Sequence, residues 1–207
     1  MEKFVRIEGI AAPLHRPNID TDLIVASREI TSPGREGYGE KLFAPWRYLW
    51  PGRREDPGFV LNRAPFRKTA ILIAGENFGC GSSREMAAWA IRQFGIRAVI
   101  APSFGAIFAG NCIRNGVLPV ALPGAAVAAL AARAEAGDLV LVVDLAGCSV
   151  TEPDGTAHAF AVGAREREMM LEGLDDIALT LRRRGEIEAF QAKDRAERPW
   201  IWAHPPQ

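Results

Sequence analysis

The segment Gly75-Glu-Asn-Phe-Gly-Cys-Gly-Ser-Ser-Arg-Glu85 gathers the residue types of this chain that can bind or move something. Gly75, Gly79 and Gly81 let a ligand approach the backbone closely. Ser82 and Ser83 supply hydroxyls, and Arg84 supplies a planar cation suited to a carboxylate. A helix starting here would turn free amides toward an anion. Two phosphate patterns fail. A Walker A loop needs a glycine followed by lysine where Cys80 stands, and a dinucleotide fingerprint needs glycine where Arg84 stands. The combination suits a small polycarboxylate, with a serine able to move a proton if the same amides stabilise its anion. A second reading stays open beside it. Ser82 and Glu85 have the spacing of a capping box, which needs no ligand, and a capped terminus with spare donors still binds an anion.

Elements on both sides must position this segment. The apolar run 69–74 reads as a buried strand, and the apolar face within 83–94, closed by Gly95, reads as a helix. Strand 97–101, helix 104–114, strand 117–122 and helix 125–136 continue the alternation, which implies parallel strands. A ligand in such a sheet sits where strand passes to helix. Upstream, 4–10 alternates as a strand, and 11–68 is irregular, broken by Pro and Gly yet carrying Phe43, Trp46, Tyr48, Leu49 and Trp50. That stretch reads as functional loops that become ordered. Downstream, 138–145, 149–152 and 156–162 are short strands with a hairpin signal at Asp154-Gly155, and short helices follow from Arg165.

Composition narrows the partners. Of 207 residues, 25 are Lys or Arg and 25 are Asp or Glu, so the formal net charge is zero. A nucleic-acid binder or a charge-anchored membrane protein needs a basic surface. The first residues alternate charged and apolar types, unlike a secretory signal, and the uncharged stretch 117–132 is too short for a bilayer and interrupted by Pro119 and Pro123. The chain is expected in the cytoplasm. Cys80, Cys112 and Cys148 form no disulfide framework and no Cys-x-x-Cys, and His15, His158 and His204 are scattered, so no metal is expected on this chain.

Collinear pieces along the chain carry a resemblance. They are Asn18-Ile-Asp-Thr-Asp22, Trp46-Arg-Tyr-Leu49, Phe59-Val-Leu-Asn62, Asn77 to Glu85, Ala98-Val-Ile-Ala-Pro-Ser-Phe104, Asn115-Gly-Val-Leu-Pro119 and Gly173-Leu-Asp-Asp-Ile177. Together they resemble the small, swivelling subunit of 3-isopropylmalate dehydratase, itself similar to the last domain of aconitase. The resemblance implies an α/β fold, a three-layer β/β/α swivel domain with mixed sheets and short helices. It implies one domain over 1–207, with mobile substrate and partner loops over about 27–58 and a helical tail over about 164–207. It implies a hydro-lyase of leucine biosynthesis that works only with a large subunit, and that partner, not this chain, would hold a [4Fe-4S] cluster. Carried over, Ser82 matches the proton-abstracting serine, and Gly81, Ser83 and Arg84 match substrate-binding positions. Asp20, Thr21 and Asp22 match a loop near the active site and the contact between subunits, where turn-forming roles are equally open. Arg28, Ile30 and Thr31 match the loop that reads the substrate's variable side chain. Glu85 is expected to cap its helix.

Departures accompany the resemblance. Met86 stands where the family usually has histidine, and Leu23, Val25 and Ala26 replace a Gln, an Ile and a Pro. The substrate loop reads Glu29-Ile30-Thr31, and a carboxylate is a poor neighbour for an isopropyl group unless it points away. Arg28 or Arg35 would be an extra cation for substrate, or a solvated surface residue. These departures keep two alternatives in view: the same chemistry on another diacid, such as methylmalate/citraconate or homoaconitate, and a non-catalytic binding module on the same fold.

Overall fold

A computed structural model describes residues 1–31 and 34–203; Ser32, Pro33 and residues 204–207, with His204 among them, lie outside the described residues. The chain divides into two compact units, 1–173 and 174–207.

The first unit opens with β1 (Arg6–Leu14), α1 (Thr21–Ile24), α2 (Ala44–Arg47) and the small hairpin β2 (Tyr48–Leu49) and β3 (Arg54–Glu55). Then come β4 (Ile71–Ala74), α3 (Glu85–Phe94), β5 (Ala98–Ala101), α4 (Ala106–Arg114), β6 (Leu118–Ala121) and α5 (Gly124–Ala134). It closes with β7 (Val140–Asp144), β8 (Ser149–Thr151), β9 (Ala157–Ala159) and α6 (Ala164–Glu172). Seven strands form one mixed sheet in the order β6-β5-β4-β1-β7-β8-β9. β1 joins its two halves. Arg6 to Ile10 pair antiparallel with β7, and Ala11 to Leu14 pair parallel with β4. β4, β5 and β6 are parallel, whereas β7, β8 and β9 are antiparallel. The mixed α/β architecture expected from the sequence is the one found.

β4 and β5 are apolar at every position because both faces are covered, whereas β6 at the sheet edge leaves Ala121 exposed. Leu72, Ala74, Val99 and Ala101 meet α3, α4 and the segment 38–66 on one face. Ile71, Ile73, Ala98 and Ile100 meet α5 and β7 on the other. Successive side chains of a strand point to opposite faces, so each four-residue strand serves two cores. The irregular stretch after β1 is not a bare loop. Tyr38, Leu42 and Phe43 are buried in the first core, and Phe43, Trp46 and Phe59 pack ring on ring. α6 belongs to this unit through buried Met169 and Met170, and Phe4 N donates to the Met170 carbonyl at 2.9 Å.

The helical stretch expected over about 164–207 is therefore divided. Beyond Gly173 the second unit contains α7 (Asp176–Leu181), α8 (Arg184–Glu197) and α9 (Pro199–Trp202). Asp175 caps α7 by accepting from Ala178 N at 2.6 Å. Asp194 links α8 to α9, accepting from Arg198 Nε at 2.7 Å and Trp202 Nε1 at 2.9 Å.

Candidate active site

Three loops leave the C-terminal ends of β1, β4 and β5, and the middle one is the glycine-rich turn. It is stitched to both neighbours. Asn18 N donates to Glu76 O at 2.9 Å, Gly79 N to Ile19 O at 2.7 Å and Thr21 N to Cys80 O at 2.9 Å. On the other side, Phe78 N donates to Ser103 O at 3.1 Å and Asn77 N to Ser103 Oγ at 2.8 Å. All three glycines of the turn are required, Gly75 because a Cβ there would lie 2.4 Å from the Arg16 backbone. A Cβ on Gly79 would lie 2.2 Å from the Phe108 ring, and Gly81 has φ +88° against Asp20 and Thr21. The polar turn is thus fixed from below by packing and presents Gly81, Ser82 and Ser83 exposed.

The helix begins at Glu85, two residues later than the apolar spacing implies, with Arg84 at the N-cap position and no side-chain cap. The capping-box reading is corrected. Glu85 Oε1 accepts from Asn115 Nδ2 at 2.9 Å instead of capping, and the Ser82 hydroxyl pairs with Thr21. The competitor that wins is the tertiary contact with α1. No side chain caps the α3 terminus, the kind of helix start that can face an anion.

The Asp20-Thr21-Asp22 motif meets this turn residue by residue. Asp20 caps α1, its Oδ1 accepting from Leu23 N at 2.7 Å. Thr21, buried, places Oγ1 3.0 Å from Ser82 O and 3.1 Å from Ser82 Oγ. Its single hydrogen can go to the carbonyl, leaving a lone pair for the serine proton, or to Oγ, where it would steady an alkoxide. Asp22 Oδ1 accepts from Arg84 Nη1, from Ser27 N at 3.0 Å and from Ser27 Oγ at 2.8 Å. The bond from Arg84, then those from Ser27, hold the Asp22 carboxyl down to about 2, so it is an ionised acceptor and not an acid. Arg84 Nη1 also donates to Val25 O at 3.2 Å. Both of these Arg84 bonds use one nitrogen, which leaves the rest of the guanidinium fork for a carboxylate.

Residues 27–31 leave α1 beside this cluster. Arg28 lies over the Trp50 ring at 5.3 Å, Ile30 is half-buried against the core and Thr31 is exposed. Arg35, the other cation considered for substrate, lies over the Trp89 ring at 5.1 Å. Glu29 is buried and bonded to Arg53 at 2.8 Å. Sequence reasoning missed Ser27 and Arg53. Neither has a local signal, because one reads as a loop serine and the other as a charge in a Pro/Gly-rich run. The remaining departures face inward. Val25 and Ala26 are buried, and Met86 packs on the first core.

No group of His, Cys, Asp and Glu suited to a metal occurs among the described residues. The Cys112 thiol is fully buried and pushed well up by burial, the wrong environment for a thiolate ligand. Cys80 and Cys148 are free and each stands alone. The described residues do not fit an iron–sulfur cluster.

The Aconitase C-terminal domain family model matches residues 1–125, and the model for the C-terminal domain of the 3-isopropylmalate dehydratase small subunit matches 176–201. A 3-isopropylmalate dehydratase small subunit of Cupriavidus necator is 53% identical, over 97% of this chain and 98% of that protein. The chain belongs to the 3-isopropylmalate dehydratase small-subunit family. A small subunit of Rhodospirillum centenum is 48% identical over 97% of this chain and 98% of its own length. The solved 3-isopropylmalate dehydratase chain (leuD) of Methanocaldococcus jannaschii superposes with a TM-score of 0.61 at 26% identity, over 91% of this chain and 99% of that one. In this small-subunit frame, Ser82, Arg84 and the Asp20–Asp22 motif form one cluster with Ser83 beside it, and among the described residues Ser27 joins the 27–31 segment to Asp22.

Proposed function

We propose that this chain is the small subunit of a 3-isopropylmalate dehydratase, interconverting 2- and 3-isopropylmalate by dehydration and rehydration in leucine biosynthesis. The observation that carries the reading is the near-full-length identity to proteins of that name. The exposed Ser82–Arg84 turn supports it with a suitable constellation.

In this reading Arg84, with Ser83 and the α3 amides, binds a substrate carboxylate. Ser82 Oγ, as alkoxide, takes the proton from the carbon alpha to a carboxylate. The electron pair of that C–H bond becomes the new C=C bond as hydroxide leaves the neighbouring carbon. Rehydration with the opposite placement gives the isomer. Thr21 orients Ser82, and ionised Asp22 aligns Arg84. In this reading a large subunit completes the pocket on the side of the departing hydroxyl. A [4Fe-4S] cluster, which the described cysteines do not fit, belongs to that partner in this reading and would act as the Lewis acid for the hydroxyl. Such a soluble biosynthetic complex belongs in the cytoplasm; among the described residues no helix is long and apolar enough to cross a membrane.

The alternative diacid rests on the departures around the site. Buried Val25 and Ala26, Met86 packed on the core and the Arg53 partner of Glu29 speak against it. The test is hydration by the chain with its cognate large subunit. Isopropylmaleate is the expected substrate. Consumption of citraconate with isopropylmaleate ignored would overturn the assignment.

A further inference from the structure

Among the described residues, the backbone bonds of 27–31 are local. Glu29 N bonds Ala26 O at 2.8 Å, Ile30 N bonds Ser27 O at 3.1 Å and Thr31 N bonds Glu29 O at 3.1 Å. Side chains fix the segment from outside. At one end Ser27 bonds Asp22. At the other, the Glu29 side chain is only 7% exposed, and its Oε2 accepts from Arg53 Nη1 at 2.8 Å. Arg53 stands in the turn of the β2–β3 hairpin, at φ +50°, with its guanidinium 4.7 Å from the Tyr48 ring centroid. Its Nη2 donates to Glu40 O at 3.2 Å, and the Tyr48 hydroxyl donates to the same carbonyl at 2.9 Å. Trp50 of the same hairpin lies under Arg28. A carboxylate this buried needs a partner cation, and without one it is neutralised or swings toward water.

We infer that the Glu29–Arg53 pair is a latch that sets the specificity of the substrate loop. It ties the loop to the β2–β3 hairpin and draws a negative charge away from the space an apolar substituent of the diacid would occupy. Both are positioning residues acting through Arg28, Ile30 and Thr31. The inference rests on the proposed function and on the substrate-loop role that the resemblance gives residues 27–31, and it concerns the discrimination between diacids rather than the chemistry.

The test uses the full chain assembled with its large subunit. KM and kcat are measured for isopropylmaleate and for its methyl analogue citraconate, and the ratio of the two kcat/KM values is compared with wild type. Arg53→Met frees the Glu29 charge. It is expected to lower the isopropyl-to-methyl ratio by about fivefold or more, through KM, with kcat within about twofold. Arg53→Lys should restore most of the ratio. Glu29→Gln removes the charge but keeps an acceptor, and should shift the ratio less than Arg53→Met. A purely structural role would lower the melting temperature and move both substrates equally. An unchanged ratio in Arg53→Met, or Arg53→Lys no better than Arg53→Met, overturns the latch. Should Arg53→Met fail to assemble, the polar, uncharged Arg53→Gln decides through the same ratio: a fall of about fivefold that Arg53→Lys restores supports the latch, and an unchanged ratio overturns it. Failure of the wild-type complex on isopropylmaleate would instead overturn the proposed function.

Discussion

Two clusters of acid and arginine stand at different parts of the first unit. At the β8–β9 edge, Glu152 is 7% exposed and both its oxygens are occupied. Oε1 meets His158 Nε2 at 2.7 Å, and Oε2 takes Arg133 from α5. At the β4–α3 turn, Asp22 is 55% exposed, Arg84 uses one nitrogen of its fork and the helix start is uncapped. The first cluster is built on a buried carboxylate, so it fastens a hairpin to a helix. The second has an exposed carboxylate and stands at a helix start that no side chain caps. Burial of the acceptor and an open helix start beside it, more than the presence of charge, separate a structural clamp from a site.

Substitutions can break or sharpen that contrast. Ser82→Ala in the assembled complex should lower kcat by about 10³-fold, the scale of a lost general base, with little change in KM or melting temperature. A kcat near wild type would move Ser82 to the clamp class. Arg84→Gln should lower kcat/KM by about 30- to 100-fold, mostly through KM, because a charge-assisted carboxylate contact is lost. Steady-state kinetics at saturating and low substrate separates the two terms. Glu152→Ala should do the reverse. It should cost about 1 kcal/mol of stability by leaving the half-buried His158 without its acceptor and Arg133 with Asp154 alone, with KM and kcat unchanged. Denaturant melts read it, and a kinetic defect without a stability loss would refute the clamp.

The smallest effect is the acid limb of Asp22. Its carboxyl lies near 2 when folded, against an ordinary value of 3.8, because of Arg84 first and Ser27 second. A lowered carboxyl stabilises the fold above the ordinary value, and that contribution fades as pH falls through about 2. Exposure at this position keeps it well under about 1 kcal/mol. Melting temperatures of wild type and Asp22→Asn should therefore differ slightly at pH 6 and converge near pH 2. A gap that widens in acid would mean the sign is wrong.

Much of this is legible in the residues, and the limits are instructive. β4 and β5 read as apolar runs because both faces are buried, and the order of the parallel strands along the chain follows from the helices between them. The glycine turn is legible because phosphate patterns fail there and the residue types left are those of a carboxylate site. The capping box misleads because spacing cannot reveal that Thr21, distant in sequence, takes the Ser82 hydroxyl. The run 11–68 hides its buried Tyr38, Leu42 and Phe43 behind Pro and Gly, since no helical or strand period organises them. Glu29 looks like an obstacle to an apolar substrate until its partner from the 48–55 hairpin is in place. Long-range side-chain pairs are the part that periodicity does not encode.

The half-pocket itself is most directly tested by mixing. Hydration of isopropylmaleate should be measured for this chain alone, for the large subunit alone and for the two titrated together. Activity should be absent from each separate chain and rise to a plateau as the complex saturates. Turnover by this chain alone, or a large subunit whose rate is indifferent to its addition, would show that the Ser82–Arg84 turn is not one side of a shared catalytic pocket.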